Sequence, residues 1–369
     1  METERTLFQL LRLALGIEEY FSFPTEVDWQ ETIDLAEKHG VSAIAWDGIQ
    51  HLYEVNPHIE LALDSPEQRQ TKYDWFGSVL QSEMRNEEVN NRCKELFELY
   101  SHKGLPCCIL KGQGVAQLYP LPSHRQSGDI DIWVLGDREQ VVSVAKDAGA
   151  RVRRINVKHA DAKFADDVPV ELHFTPGFFY NPFANRRLSR WFKENGKEQC
   201  DHFDDKVGFS FPTVSFNLVY LLYHLFQHFL YEGVGLRQVT DYCCALMHSD
   251  DAQRSCAYEV IEKLGMRRFC SGLMWVMQEV YGLSGELLLC PLNEKEGRLL
   301  LDEFMHGAGF GRYDERNHSS HARGTLGVGM IHIKHAARFC AHYTSEVLWA
   351  PFWKLWHWCW RAVNGFLKT

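Results

Sequence analysis

The stretch "RQSGDIDIWV" (Arg125–Val134) decides the predicted fold, because it places two aspartates inside an apolar, alternating segment. In a β-strand, residues two apart share a face. Asp129 and Asp131 therefore project together, while Ile130 and Ile132 point to the opposite face. Two neighbouring carboxylates repel each other, and removing them from water is costly. A divalent cation relieves both penalties, and rigidly held oxygen ligands are typical of Mg²⁺ sites.

The flanking segments indicate that this strand belongs to a small α/β unit spanning residues 96–205. The apolar runs "LPCCIL" and "VPVELHF" predict buried strands, and "DREQVVSVAKDAGA" predicts a helix capped by Asp137. "RVRRIN" and "HADAKFA" predict two more strands. Asp166 and Asp167 fit a hairpin turn between the last two strands, where carboxylates are solvated.

A third acid completes a metal site of this kind, and Glu171 is the residue that we predict. It lies between Val170 and Leu172 in an apolar strand that we expect beside the aspartate strand. The competing Asp161 lies in a polar stretch with a lysine on each side. Asp166 and Asp167 are assigned to the turn.

The predicted fold class is α+β, with a small mixed β-sheet domain between N-terminal and C-terminal helical regions. The predicted boundaries are 1–95 for the N-terminal helices, 96–205 for the sheet domain, 206–345 for the C-terminal helices and 346–369 for a Trp-rich amphipathic tail. The glycine-rich stretch "HGAGFGRYDERNHSSHARGTLGVG" does not follow a strand and predicts an irregular connection.

Composition narrows the class of protein. The chain has 369 residues and a net charge of -10, which argues against extensive binding to a nucleic-acid backbone. Its 11 cysteines include adjacent pairs and no CxxC, so neither a disulfide framework nor a structural zinc site is predicted. The N-terminus is typical of an amphipathic helix and not of a signal peptide. We therefore predict a cytoplasmic protein.

The segment "ILKGQGVAQLYPLPSHRQSGDIDIWV" resembles the signature of a family of bacterial nucleotidyltransferases in the polymerase-β-like superfamily. The matching positions are Leu110-Lys111-Gly112, Tyr119-Pro120, Arg125 and Gly128-Asp129-Ile130-Asp131. Glu171 matches the third carboxylate of the superfamily by position. Where the wider superfamily has Gly-Gly or Gly-Ser, this chain has Gly112-Gln113 after Lys111, which agrees with the narrower family.

The resemblance implies an enzyme that moves a nucleoside monophosphate from an NTP, with ATP expected, to an acceptor hydroxyl. Mg²⁺ or Mn²⁺ would be held by Asp129, Asp131 and Glu171, and Glu171 would also take the acceptor proton. The implied nucleotide-binding residues are Lys111, Gly112, Arg125, Ser127 and Gly128. Lys111 is equally well explained as a solvated lysine, and Arg125 as an anchor of the loop.

The acceptor is not identified by the sequence. A small molecule is favoured over a protein or a tRNA end, because the acidic charge weakens the case for tRNA, and no stable nucleic-acid binding is expected. A non-catalytic NTP-binding regulatory protein is the remaining alternative, although the intact acids oppose it.

Five further polar residues have open roles. His173 shares a strand face with Glu171 and either orients that carboxylate, approaches the acceptor or is a satisfied core histidine. His224 and His228 are four apart on a helix, where packing is preferred over metal binding because no Glu follows His224. Arg237 and Asp241 are also four apart and are predicted to form a structural ion pair. The alternative, which the family resemblance implies, is that they border the nucleotide pocket.

The C-terminal tail predicts a helix that begins at Pro351. Its predicted apolar face consists of Trp353, Trp356, Trp360, Val363 and Leu367. Residues 321–369 hold six Lys or Arg and one acid, Glu346. Packing of this face on the helical region is preferred, and peripheral contact with an anionic membrane is the alternative.

Overall fold

A five-stranded mixed sheet is preceded and followed in the chain by helices, as seen in a computed structural model that describes residues 2–23, 27–165, 168–309, 335–364 and 366. The α-helices are α1 (Glu2–Ala14), α2 (Trp29–His39), α3 (Ser42–Val55), α4 (Arg69–Ser101), α5 (Gly112–Ala116), α6 (Arg138–Asp147), α7 (Pro182–Asp201), α8 (Val214–Tyr231), α9 (Leu236–Met247), α10 (Asp251–Leu264), α11 (Arg267–Tyr281), α12 (Glu294–His306) and α13 (Thr344–Val363). The strands are β1 (Cys107–Leu110), β2 (Ile130–Val134), β3 (Arg151–Arg153), β4 (His159–Lys163), β5 (Val170–His173), β6 (Phe203–Asp204) and β7 (Phe209–Ser210).

The strand order of the main sheet is β1-β2-β5-β4-β3. Only β2 and β5 run parallel, and the neighbouring pairs on either side of them are antiparallel. The predicted fold class, α+β with helical flanks around a small mixed sheet, is confirmed. The order places β2, the strand with the aspartates, between β1 and the strand of Glu171.

The alternation in β2 divides its side chains between two environments. Ile130, Ile132 and Val134 are buried in a core that also contains residues of α4 and α6. Trp133, on the opposite face, packs against Phe192 of α7 and Phe216 of α8. Apolar packing on both faces fixes the register of β2 and therefore the position of its acids.

A second and larger core joins the N-terminal helices to the C-terminal ones. Leucines of α1 pack with residues of α3 and α11, and α8 is buried along most of its length. Helix α2 ends at Gly40, whose φ of 70° is typical of a glycine cap. The division of the chain into four regions remains a prediction.

The C-terminal helix α13 differs from the prediction in two ways. It begins at Thr344, so Pro351 lies inside the helix and not at its start. Trp353 stacks on Phe178 and faces the protein, whereas Trp356 is 52% exposed and points away. The residues of the predicted apolar face therefore lie on two different sides of the helix. Leu367, which was also assigned to this face, lies outside the described residues.

Glu346 connects the start of α13 to the sheet domain through hydrogen bonds. Its buried carboxylate accepts hydrogen bonds from the backbone N–H groups of Tyr180 and Asn181, at 2.7 and 3.0 Å. Asn181 is the N-cap of α7. Burial raises the pKa of Glu346 to about 7.

Two predicted connections lie outside the described residues: Asp166-Asp167 and most of the glycine-rich stretch after His306. Among the residues that are described, no helix has the length and apolar character needed to cross a membrane.

Candidate active site

Ionisable side chains form two rows across strands β2, β5 and β4. Asp131 lies opposite Glu171, which lies opposite Asp161. In the next row, His173 lies opposite His159. Directly opposite residues of neighbouring strands point to the same face. The register therefore collects these five side chains on one face of the sheet.

The structure brings together the three predicted carboxylates. Ligand oxygens of Asp129, Asp131 and Glu171 lie within 4.8 Å of one another. Asp131 is buried, Glu171 is half-buried and Asp129, which immediately precedes β2, is exposed. Three carboxylates at this separation, one of them open to solvent, can bind a divalent cation.

Two cationic or hydrogen-bonding groups neutralise Asp131. Lys111 Nζ lies 2.8 Å from Asp131 Oδ2, and His173 Nε2 lies 2.6 Å from Asp131 Oδ1. Burial alone would raise the pKa of Asp131, but Lys111 and His173 hold this pKa well below its usual range. Burial also acts to lower the pKa of Lys111, and the acids around it raise that pKa. Asp131 is therefore ionised and paired.

The charge on Asp131, with burial, raises the pKa of Asp129 above its ordinary value. This repulsion is what a bound cation would relieve. Burial would also raise the pKa of Glu171, but its hydrogen bond with His173 helps to lower that pKa to about 2. Glu171 thus stays ionised, whereas Asp129 carries the uncompensated charge.

The backbone at the end of β1 is strained beside these acids. Lys111 has a φ of 47° and a ψ of -142°, and Gly112 has a φ of 37°. For a residue with a side chain, such a conformation costs about 1–3 kcal/mol and persists where the surroundings hold it. Here the ion pair with Asp131 holds the Lys111 side chain over the carboxylates.

A cleft with an empty volume of about 490 Å³, continuous with solvent, opens above Asp129 and Asp131. Its other lining residues are Lys111, Gly112, Arg125, Gly128, Leu221, His224, Leu225, Arg237, Gln238 and Asp241. Ser127 Oγ is buried near the cleft wall and has no hydrogen-bond partner among the described residues. Of the predicted nucleotide-binding residues, Lys111, Gly112, Arg125 and Gly128 line this cleft, and Ser127 adjoins Gly128.

Arg125 is bound to a helix distant in sequence. Its guanidinium donates to both oxygens of Asp241 at 2.7 Å, and Tyr119 Oη donates to Asp241 Oδ1 at 2.7 Å. The predicted pairing of Arg237 with Asp241 is replaced by this arrangement. Arg237 instead donates to the carbonyl of Gln126 at 3.3 Å. This leaves Arg237 as a cation of the cleft wall, held by one long bond to the backbone.

Two residues of the site were not assigned to it by the sequence, and Arg237 was placed beside it only as an alternative to its ion pair. His159 was overlooked, although the alternation of two antiparallel strands places it opposite His173. His224 was assigned to packing, and it both contacts His228 at 4.2 Å between ring centroids and lines the cleft. Burial lowers the pKa of His224 well below its ordinary value, so its ring is neutral.

The residues present fit a divalent metal. The raised pKa of Asp129 marks an unrelieved repulsion, and the open side of the triad faces the cleft. Oxygen ligands of this kind suit Mg²⁺ or Mn²⁺.

Comparison with known proteins agrees with this geometry. Residues 25–282 match a family described as an uncharacterised nucleotidyltransferase. The match spans the N-terminal helices from α2 onward, the whole sheet and the helices α7 to α11. No curated protein matches the chain.

Proposed function

Because the chain belongs to this uncharacterised nucleotidyltransferase family, we propose that it transfers a nucleoside monophosphate from ATP to the hydroxyl of a small molecule and releases pyrophosphate. The observation that carries the proposal is the convergence of Asp129, Asp131 and Glu171 below a cleft lined by cations. Transfer of a phosphoryl-type group depends mainly on positioning and on charge neutralisation. Both are available at this site.

Asp129, Asp131 and Glu171 would hold Mg²⁺ or Mn²⁺ in this reaction. The bound metal would supply neutralisation of the phosphate charge. Lys111 and His173 keep Asp131 ionised and fixed in position before any ion binds.

The triphosphate lies in the cleft in this proposal. Lys111 and Arg237 supply positive charge, and Ser127 Oγ donates a hydrogen bond. Gly128 has no side chain, so a phosphate can approach the backbone there. Arg125 acts as a positioning residue for this loop, because Asp241 already occupies its guanidinium.

Glu171 accepts the proton of the acceptor hydroxyl. The hydroxyl oxygen forms a bond to the α-phosphorus, and the bond from that phosphorus to the bridging oxygen breaks. Pyrophosphate leaves with the electron pair. The hydrogen bond to His173 keeps Glu171 ionised, so its carboxylate has a free site for the proton.

A small-molecule acceptor is preferred because the chain is acidic overall, with a net charge of -10. A protein or a tRNA end is the alternative acceptor, and a regulatory NTP-binding protein is the alternative to an enzyme. The pattern of cysteines supports a cytoplasmic location.

The experiment is to incubate the protein with ATP labelled at the α-phosphate, Mg²⁺ and a fractionated cell extract. Label that moves with small metabolites supports the proposal, and label on protein or RNA selects the alternative acceptor. The Asp129→Asn variant is the background control. Metal-dependent ATP binding without any transfer in any fraction would favour the regulatory alternative.

We also propose that α13 contacts an anionic membrane surface. Its outer face carries Leu348, Phe352, Leu355, Trp356 and Val363, each more than half exposed. Tryptophan and large aliphatic side chains are typical of helices that lie in the membrane interface.

The helix that contacts the start of α13 carries basic side chains. The side-chain amide of Asn181, the N-cap of α7, donates a hydrogen bond to Ser345 Oγ at 2.5 Å. The exposed face of α7 then carries Phe183, Arg186, Arg187 and Arg190 at helical spacing. Arginines beside an apolar face complement anionic headgroups.

Sedimentation with vesicles tests this contact. The protein should pellet with vesicles of phosphatidylcholine and phosphatidylserine more than with phosphatidylcholine alone, and the double change Phe352→Ser and Trp356→Ser should remove the difference. Met84→Ser, at an equally exposed position of α4, is the matched control. Concentration-dependent dimers that this double change abolishes, without vesicle binding, would assign the face to a second copy of the chain.

A further inference from the structure

A set of nitrogen ligands adjoins the carboxylates and is not explained by a Mg²⁺ site. Ligand atoms of His159, Glu171 and His173 lie within 4.8 Å of one another. Glu171 Oε2 is shared, at 3.3 Å from His159 Nδ1 and 3.2 Å from His173 Nε2. Two imidazoles and one carboxylate thus converge on a single region of the sheet face.

The backbone of the sheet fixes both imidazoles. His159 and His173 are directly opposite in the antiparallel pair of β4 and β5, and their ring centroids are 5.3 Å apart. His173 is fully buried. Residues on paired strands are more rigidly placed than residues on loops, and rigid placement favours metal binding.

The second nitrogen of His173 has the partner expected of a metal ligand. His173 Nδ1 lies 3.3 Å from the backbone carbonyl of Thr175. A histidine that binds a metal commonly donates its other ring N–H to a backbone carbonyl or a carboxylate. With its proton on Nδ1, His173 would present the lone pair of Nε2 to a metal ion, which would replace the hydrogen bond between Nε2 and Asp131 Oδ1 at 2.6 Å.

His159 supplies an unsatisfied nitrogen to the same region. Its Nδ1 is buried and makes no hydrogen bond among the described residues, although Glu171 lies nearby. A buried nitrogen without a hydrogen bond is costly. A cation bound between His159 and Glu171 would satisfy it.

We propose that His159, Glu171 and His173 bind a divalent transition-metal ion, of the class of Mn²⁺, Co²⁺ or Zn²⁺, beside the Mg²⁺ ligands. Imidazole with carboxylate suits these ions, whereas Mg²⁺ prefers oxygen ligands alone. The inference deepens the proposed function and rests on it for the role of the ion, which would lie next to the group that accepts the acceptor proton. The binding itself is measured without nucleotide.

The test is titration of the metal-free protein with Co²⁺ in the presence of excess Mg²⁺, which occupies the oxygen ligands. We expect visible absorption bands of bound Co²⁺ that saturate at one equivalent. With Mn²⁺ as the probe, pulsed electron paramagnetic resonance should show coupling to imidazole nitrogen. His159→Gln should weaken Co²⁺ binding on the order of a hundredfold, because it removes a ligand.

His58→Gln is the control, because His58 is exposed and follows α3, outside the sheet. Since His173→Gln also removes a bond to Asp131 and can affect folding, His159→Gln is the deciding variant. Equal Co²⁺ binding by the parent and His159→Gln, or Mn²⁺ without nitrogen coupling, would overturn the inference.

The failure of this inference and the failure of the proposed function are distinguishable. Nucleotidyl transfer with Mg²⁺ but no nitrogen-coupled metal rejects the inference alone. Nitrogen-coupled metal binding lost in His159→Gln supports the inference even when no acceptor fraction takes label.

Discussion

Two clusters of charged side chains line the same cleft, and their charges are balanced to different extents. In the first, Asp241 receives two bonds from Arg125 and one from Tyr119, so each oxygen is paired. In the second, the charge of Asp131 raises the pKa of Asp129, and that repulsion is not relieved. A balanced cluster stabilises the fold. In an unbalanced cluster, the repulsion between carboxylates is relieved when a ligand binds, and this relief favours binding.

The largest expected effect is that of Asp129→Asn, a substitution in the unbalanced cluster. Asp129→Asn should reduce nucleotidyl transfer below detection while leaving the fold intact. Without metal, its melting temperature should equal or exceed that of the parent, because a repulsion has been removed. Thermal unfolding with and without Mg²⁺, beside the labelled-ATP assay, measures both. Full turnover in this variant would remove Asp129 from the site.

The balanced cluster should respond in the opposite way. Asp241→Asn leaves the buried Arg125 charge without its partner, so the free energy of unfolding should fall by about 3–5 kcal/mol. Urea denaturation checks this, with the exposed Asp302→Asn of α12 as the control. An unchanged stability would mean that the two clusters do not differ as described.

Glu171→Gln tests which carboxylate of the unbalanced cluster takes part in the chemical step. Glu171→Gln should spare most ATP binding and slow the chemical step on the order of a hundredfold or more, because a base and a metal ligand are lost together. Single-turnover kinetics separates the two effects. Asp161→Asn, on the neighbouring strand, is the matched variant. If it abolishes transfer while Glu171→Gln turns over normally, the third carboxylate is misassigned.

The smallest expected effect concerns His124, which joins the loop before Ser127 to the N-terminal helices. Its ring nitrogens lie 2.6 Å from Asp47 and 3.0 Å from Glu83. Burial would lower the pKa of His124, but these two acids raise it. Stabilisation by the charged ring is therefore complete below the unfolded pKa of about 6.5 and is lost as pH rises through the folded pKa.

This loss should amount to a few tenths to about 1 kcal/mol, as for other partly exposed ion pairs. Urea denaturation across the pH range measures it. His124→Gln should flatten the pH dependence, and His58→Gln should not. A parent protein whose stability rises with pH in this window would contradict the assignment.

Features that depend on neighbouring residues were predicted from the sequence, whereas features that depend on contacts between distant residues were not. The acids of β2 and Glu171 were predicted because alternation and apolar flanks are local signals. The bond between Arg125 and Asp241 spans 116 residues, and no local signal specifies which helix reaches the loop. Arg237 was therefore assigned the wrong partner. Likewise, the position of His159 depends on the register of β4 against β5, which the sequence of either strand leaves open.

The tail shows the same limit. Its helical periodicity was predicted, but periodicity alone does not reveal which side of a helix meets the protein. Trp353 faces the protein because it stacks on Phe178. Phe178 belongs to the segment between β5 and α7. Pro351 is tolerated inside α13, where the helix continues on both sides.

The attachment of Glu346 to Tyr180 and Asn181 has a consequence for fragments of this protein. The family match ends at residue 282 and begins at residue 25, and a fragment cut at those limits would lack both ends of the chain. It would lose α1, whose Leu7, Leu10 and Leu11 are fully buried. It would also leave two N–H groups at the start of α7 without their carboxylate. We therefore expect the smallest stable unit to extend beyond residues 25–282 at both ends.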